Sequence, residues 1–149
     1  MELWDAIGRG IYSVEKNDEV KLRMDSVIFD LDGTIWDPVD TVLHAWNSCI
    51  RECSQVKMVL SRADVEQTMG LQMEEISMRL FPDLHKECRN QLIADCFDAE
   101  LGYLEKQGGM LYPNVRKVLE ILAEHCKLCI VSNCQDGYIE FFFKFHNLG

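Results

Sequence analysis

The spacing of apolar residues along the chain predicts strands and helices that follow one another. Residues 26–31 (SVIFDL) form a compact apolar run that ends at the turn signal Asp32-Gly33. Such continuity is typical of a parallel strand that is buried on both faces. A second apolar run, residues 127–132 (KLCIVS), stops at Asn133. We therefore expect two strands of a parallel sheet in an α/β fold.

Between and after these runs the apolar period becomes helical. Residues 40–53 carry an apolar stripe at helical spacing, formed by Val42, Leu43, Trp46 and Ile50. Ser61 is the expected N-cap of a second helix, which Gly70 ends. Further helices are predicted over residues 73–80, 85–106, 115–124 and 138–145, the third of them with Pro113 in its first turn. Because residues 36–111 contain no convincing strand, we expect them to form an almost wholly helical insertion.

Residues 1–24 do not match the pattern that follows. Alternating apolar positions over residues 11–16 and 20–24 are compatible with a short hairpin, and residues 3–8 are compatible with an amphipathic helix. Disorder of the whole segment is equally compatible with its composition. The sequence leaves these alternatives open, and we treat residues 1–24 as an N-terminal extension of uncertain structure.

The charge of the chain narrows its range of partners. Its 25 Asp and Glu residues outnumber its 15 Lys and Arg residues, which gives a net charge of −10. This charge repels nucleic acid and anionic membrane surfaces, so neither is expected as a partner. It also opposes a phosphorylated substrate unless a cation sits in the site. The beginning of the chain lacks a signal-peptide pattern and no segment is apolar for long enough to cross a bilayer, so we expect a cytoplasmic location.

The seven cysteines are expected to be free thiols. The only CxxC sequence is Cys126–Cys129, and its two side chains would point to opposite faces of the predicted strand. A structural zinc site is therefore not expected there.

Two carboxylates at the end of the first predicted strand carry the candidate chemistry. Asp30 and Asp32 are two residues apart, and unpaired anions at a buried strand end are unfavourable. A divalent cation resolves the conflict, and magnesium suits carboxylate, carbonyl and phosphate oxygens. The carboxyl end of a parallel strand is also where open α/β sheets bind ligands. Gly33 allows a sharp turn and a close approach of the backbone to a phosphate.

These residues resemble the motifs of a known family. The sequence DLDGT, residues 30–34, resembles the first motif of the haloacid-dehalogenase-like superfamily, and LCIVSN, which contains Ser132, resembles the second. The resemblance implies a Rossmann-like core with a parallel sheet, incomplete here and formed by residues 25–35 and 112–149. It also implies a helical cap over residues 36–111, similar to the phosphoglycolate-phosphatase-like and β-phosphoglucomutase-like branch. Trp36 and Trp46 are expected to pack within this cap.

The resemblance also implies an activity, which is magnesium-dependent hydrolysis of a small phosphorylated metabolite through an aspartyl-phosphate. Asp30 would attack phosphorus, and Asp32 would protonate the leaving oxygen and later activate water. Magnesium would bind a carboxylate oxygen of Asp30 and the backbone carbonyl of Asp32. Four further residues are expected to hold the phosphoryl group: Gly33, Thr34, Ser132 and Asn133. The turn over residues 69–72, between cap helices, is the expected specificity element.

The chain also departs from the family pattern. The family continues to a third motif with a Lys and a fourth with an acidic pair, and neither follows residue 133 here. We therefore expect a truncated form with at most trace activity. We also expect the chain to associate with itself through the unpaired edge of residues 26–31. Two alternatives stay open: a non-catalytic remnant or binding module of the same fold, and, within the family, a sugar-phosphate mutase.

Overall fold

The computed structural model of the chain describes residues 24–148. Of the predicted N-terminal extension, all but Met24 lies outside the described residues. The elements, in chain order, are β1 (Ser26–Phe29), β2 (Trp36–Asp37), α1 (Val39–Glu52), α2 (Arg62–Glu66), α3 (Met73–Leu80), α4 (Lys86–Gln107), β3 (Met110–Leu111), α5 (Val115–Ala123), β4 (Lys127–Ile130) and α6 (Tyr138–His146). The α/β class expected from the sequence is confirmed.

Local capping explains where the helices begin and end. Ser61 is the N-cap of α2 as predicted, and its side chain forms a reciprocal capping box with Asp64. The helix itself ends at Glu66, and the chain continues as turns to Gly70. The predicted start of α5 was wrong in one detail. Asn114, in the left-handed conformation, is its N-cap, so Pro113 lies before the helix and not in its first turn.

The main sheet consists of β1 and β4, which pair in parallel with Ile28 opposite Cys129. This pairing confirms the predicted parallel sheet. The expected burial of β1 on both faces was wrong, because Ile28 is 66% exposed. Phe29 and Ile130, on the opposite face, pack against buried residues that include Phe142 of α6. No element among residues 24–148 covers the Ile28 face, and this leaves it open to solvent.

A short antiparallel pair, β2 with β3, was missed by the sequence reasoning. Trp36 lies opposite Leu111 and Asp37 opposite Met110, so the pair joins the two ends of the predicted helical insertion. The insertion is therefore helical only between its two ends. Gly109 allows the close approach, since a Cβ at this position would lie 2.8 Å from the backbone oxygen of Asp37.

Two hydrophobic clusters hold the described residues together. The first lies within the helical region, which we define as α1 to α4, and includes Trp46, Ile50 and Ile93. The second surrounds Trp36 and Phe142. The prediction that Trp36 packs within the cap was thus wrong: its ring makes edge-to-face contacts with Tyr138 and Phe142 of α6. None of the helices in the described part of the chain has the length and apolar character that crossing a membrane requires.

Helix α4 connects the two clusters. Ile93 and Cys96, in its first half, belong to the cluster of the helical region, whereas Leu104, one turn from its end, belongs to the cluster around Trp36. The helix accordingly packs against both α1 and α6. The part of α4 between Cys96 and Leu104 therefore lies where the two clusters meet.

Candidate active site

A cleft of about 440 Å³ lies between the carboxyl ends of β1 and β4 and the helical region. The sheet side of its lining consists of Asp30, Asp32 and residues 131–135, with Tyr138 from α6. The helical side consists of Val42, Trp46, residues 68–73, Ile76, Phe97 and Glu100. The position of the cleft agrees with the rule that ligands bind at the carboxyl ends of parallel strands.

Asp30 follows directly after β1 and is exposed to the cleft. Its carboxylate accepts no hydrogen bond from any other part of the described chain, residues 24–148. A carboxylate in this position keeps its lone pairs available for a cation or an electrophile.

Asp32 has a very different environment. Its Oδ1 accepts two hydrogen bonds, one from Trp36 Nε1 at 2.7 Å and one from the hydroxyl of Tyr138 at 3.0 Å. The turn at Gly33, which has a φ of 76°, brings Trp36 back towards Asp32, and the Gly33 N–H donates to the backbone oxygen of Trp36. The carboxyl of Asp32 is therefore fixed in orientation, and its Oδ2 stays free of these two donors.

Burial raises the pKa of Asp32 above its ordinary value, because the charged form loses hydration. The hydrogen bonds from Trp36 and Tyr138 oppose this effect and the negative charge of Asp30 adds to it, with a raised pKa as the result. Two carboxyls of the same type thus differ in exposure and in hydrogen bonding. Such a difference is what a nucleophile and an acid require of neighbouring groups.

The structure brings Ser132 and Asn133 to the same cleft as Asp30 and Asp32. The Ser132 hydroxyl oxygen accepts from the backbone N–H of Cys134 at 3.3 Å, and the Asn133 side chain donates to the backbone oxygen of Gly70 at 3.1 Å. Gly33 and Thr34, the other residues expected at the phosphate, are exposed in the turn after β1 and do not line the cleft.

The turn expected to determine specificity also faces the cleft. All four of its residues, Met69, Gly70, Leu71 and Gln72, are part of the lining. Its contact with Asn133 connects the helical region to the loop after β4. The turn therefore forms part of the helical side of the cleft.

Sequence reasoning missed three residues of this site: Trp36, Tyr138 and Glu100. Tyr138 and Asp32 are 106 positions apart, so no local pattern pairs them. Glu100 of α4 is buried, with 7% of its surface exposed, and its Oε2 accepts from Trp46 Nε1 at 2.6 Å. Burial, together with the charge of Asp32, raises the pKa of Glu100 to about 8. A single Glu in a helical pattern is typical of a surface residue, and only its position four residues after Cys96 hints at an inward direction.

The described residues offer few protein ligands for a magnesium ion. Within residues 24–148 no three His, Cys, Asp or Glu side chains form a group that could hold a metal. Magnesium usually keeps several waters and binds one or two carboxylates plus substrate phosphate. The exposed carboxylate of Asp30 and the backbone oxygen of Asp32 would be two ligands of the kind that this preference requires.

A comparison with family models gives one match, to the haloacid dehalogenase-like hydrolases, and it spans residues 27–149. The chain belongs to this family. Of the two segments that resemble the family motifs, Asp30 and Asp32 of the first and residues 131–133 of the second line the cleft. A comparison with curated protein sequences found no match.

Solved structures share the haloacid dehalogenase-like fold of the chain. A protein described as a predicted phosphoglycolate phosphatase from Haemophilus somnus 129pt has a TM-score of 0.72 at 21% identity, over 84% of this chain and 58% of its own. A hydrolase from Pseudomonas syringae has a TM-score of 0.65 at 23% identity, over 85% of this chain and 57% of its own. This chain thus spans less than three fifths of the length of these structures.

Proposed function

We propose that the chain carries the nucleophile and the acid of a magnesium-dependent phosphatase that acts on a small phosphorylated metabolite. The observation that carries this proposal is the contrast between Asp30 and Asp32. The carboxylate of Asp30 is exposed and accepts no hydrogen bond from the described residues. The carboxyl of Asp32 is partly buried and accepts two hydrogen bonds, and its pKa is raised. Membership of the haloacid dehalogenase-like hydrolases supports the general reaction class.

Asp30 is proposed to attack the phosphorus atom of the substrate. A carboxylate oxygen of Asp30 forms the new bond to phosphorus while the bond from phosphorus to the ester oxygen breaks, which gives an aspartyl-phosphate and an alcohol. Because the carboxylate is exposed in the cleft and accepts no hydrogen bond from residues 24–148, it needs no rearrangement to approach the phosphate.

Asp32 is proposed to supply the proton that the leaving oxygen requires. Its raised pKa makes the protonated form more accessible than in an ordinary aspartate, and its fixed orientation leaves Oδ2 free to donate. After the alcohol leaves, the ionised Asp32 accepts a proton from the water that attacks the aspartyl-phosphate. The oxygen of this water bonds to phosphorus and Asp30 is released.

The transferring phosphoryl group needs donors, since its reaction depends chiefly on positioning and charge stabilisation. The Ser132 hydroxyl and the backbone N–H of Asn133 are proposed to bind its oxygens from the loop after β4. Gly33 and Thr34 are left out of this proposal, because they do not line the cleft and their backbone N–H groups donate to the backbone oxygens of Trp36 and Leu31. Magnesium, held by Asp30 and the backbone oxygen of Asp32, would supply positive charge against the phosphate oxygens.

The helical region is proposed to be the cap of the enzyme, with residues 36–111 as its bounds. The β2–β3 pair at the two ends of this segment supports these bounds, because it closes the insertion where it leaves the core. The turn over residues 69–72 lines the cleft opposite Asp30, which supports a role in selecting the substrate.

Trapping of the covalent intermediate tests the proposal directly. The chain would be incubated with radiolabelled acetyl phosphate and magnesium, and label would be measured before and after hydroxylamine treatment. We expect hydroxylamine-sensitive label on the wild type and none on Asp30→Asn. Asp25→Asn, an exposed acid just before β1, is the matched control and should keep the label. Label that persists in Asp30→Asn, or a wild type that takes none, would contradict the proposal.

A further inference from the structure

Of the three acidic residues in the described cleft lining, Glu100 is the one that the proposed reaction does not use. It lies on α4 between the two hydrophobic clusters and lines the cleft on the side of the helical region, whereas Asp30 and Asp32 lie on the side of the sheet. More than nine tenths of its surface is buried. A carboxyl so deeply buried is unusual unless it is paired, so the burial of Glu100 requires an explanation.

The contacts of Glu100 orient it towards the cleft. Its Oε2 accepts the indole N–H of Trp46, itself buried in α1, at 2.6 Å. Its Oε1 has no hydrogen-bond partner among residues 24–148. The indole fixes one end of the carboxyl and leaves the other available to a molecule in the cleft.

The described lining of the cleft favours an uncharged organic part in the ligand. Three of its lining residues are acids, Asp30, Asp32 and Glu100, and among the described lining residues there is no Lys, Arg or His. A second anionic group on the substrate would find no cation on this lining and would lie near the carboxylate of Asp30, which is unfavourable without a compensating charge. The remaining polar groups are amides and hydroxyls, such as Gln72 and Gln135.

The carboxyl of Glu100 is held neutral by its burial at physiological pH, since its pKa is about 8. A neutral carboxyl both donates and accepts, so it matches a hydroxyl group, which does the same. The aliphatic and aromatic side chains of Val42, Ile76 and Phe97 would cover the carbon atoms between such hydroxyls.

We infer that Glu100 is a specificity-determining residue that donates a hydrogen bond to a hydroxyl of the substrate, and that the enzyme takes phosphoesters whose organic part is hydroxylated and uncharged. This inference rests on the proposed function, because it concerns the organic part of a phosphoester bound at Asp30. It separates this chain from an enzyme for phosphoglycolate, whose organic part carries a carboxylate.

A matched pair of ligands tests the inference by binding alone. Glycerol 3-phosphate and 3-phosphoglycerate differ by one hydroxymethyl group in place of a carboxylate. Their affinities for the chain, and that of inorganic phosphate, would be measured by calorimetry at pH 7 with magnesium present. We expect the wild type to prefer glycerol 3-phosphate by about tenfold or more, as the loss of one buried hydrogen bond or an unpaired charge predicts.

Two substitutions of Glu100 define its role. Glu100→Met removes the donor and should lower the affinity for glycerol 3-phosphate by about tenfold, with the affinity for inorganic phosphate unchanged. Glu100→Gln keeps a neutral donor of the same shape and should retain the preference, which also covers the case in which the Met variant does not fold. Glu105→Gln, an exposed position on the same helix, is the control and should behave as the wild type.

The possible failures are distinguishable. If inorganic phosphate and both esters fail to bind the folded wild type, the proposed function and this inference are both overturned. If phosphate binds but 3-phosphoglycerate is preferred, the inference alone is wrong. The inference alone is also wrong if Glu100→Met leaves the ratio of the two ester affinities unchanged, or if Glu100→Gln abolishes the preference.

Discussion

Asp30 and Asp32 show how neighbouring side chains give two identical carboxyls different properties. The two residues are separated by Leu31, which is buried in the cluster around Trp36. Both carboxyls line the cleft, but only that of Asp32 accepts hydrogen bonds from the indole of Trp36 and the phenol of Tyr138. The motif alone predicts which acid should be the nucleophile. The structure adds a physical difference between the two acids, because Asp30 is exposed and Asp32 is partly buried.

Tyr138→Phe is the first prediction at the residue scale. The substitution keeps the ring that packs on Trp36 but removes the hydroxyl that donates to Asp32. Because this hydrogen bond lowers the pKa of Asp32, its loss should raise that pKa further. Carboxyl carbon shifts of labelled aspartate, followed by NMR against pH, would measure the change. Tyr112→Phe, at an exposed tyrosine, is the control, and an unchanged or lowered pKa of Asp32 in Tyr138→Phe would contradict the assigned hydrogen bond.

At the scale of elements, helices were the most predictable part of the fold. The helix predicted over residues 73–80 is α3 as observed, and the helix predicted over residues 85–106 is displaced by a single residue. Caps and helical periodicity are local signals, so one sequence suffices to identify them. The strands β2 and β3 were missed because two residues each are too short to show a period, and their pairing joins segments more than seventy residues apart.

The candidate site divides in the same way between local and distant signals. The motif residues Asp30, Asp32, Ser132 and Asn133 could be found from their positions after two predicted strands, and the structure places all four on one cleft. Trp36, Tyr138 and Glu100 could not be found. Their roles depend on which helix packs against which strand end, and hydrophobic periodicity does not specify that packing.

The pH dependence of stability tests the burial of Glu100 on α4. Its folded pKa of about 8 exceeds the reference value of 4.5, so the fold favours the protonated acid. The stabilisation is complete below pH 4.5 and is lost as pH rises towards 8. Glu100→Gln cannot ionise and so does not lose this stabilisation. Its free energy of unfolding, relative to that of the wild type, should therefore increase by a few kcal/mol as the pH rises from 5 to 8.

Urea unfolding of both proteins across that pH range would measure the difference. Glu105→Gln is the matched control on α4, because its carboxylate is exposed and forms an ion pair with Lys144 at the surface. The relative stability of this control should not change with pH. A difference between Glu100→Gln and the wild type that stays constant from pH 5 to pH 8 would show that Glu100 is not buried as a neutral acid.

At the scale of the whole molecule, the uneven cover of the sheet is the dominant feature. One face of β1 and β4 packs against the cluster around Trp36, and the other exposes Ile28 and Cys129. Within the described residues, β1 pairs with β4 alone, so the backbone groups on its other edge have no strand partner. An apolar face beside an unpaired strand edge favours association with another chain.

We therefore predict that the 149-residue chain associates with itself through β1. Light scattering coupled to size-exclusion chromatography should give a mass above that of the monomer, rising with protein concentration.

Ile28→Lys should shift the distribution towards monomer, because a charged side chain on an exposed strand opposes edge pairing. Val59→Lys is the matched control. It replaces a side chain that is even more exposed, at 72%, but lies in a loop of the helical region, and it should leave the mass unchanged. A wild type that stays monomeric at all concentrations would contradict the prediction. If both variants shift the mass distribution equally towards monomer, the change in net charge is the cause and the β1 face has no special role.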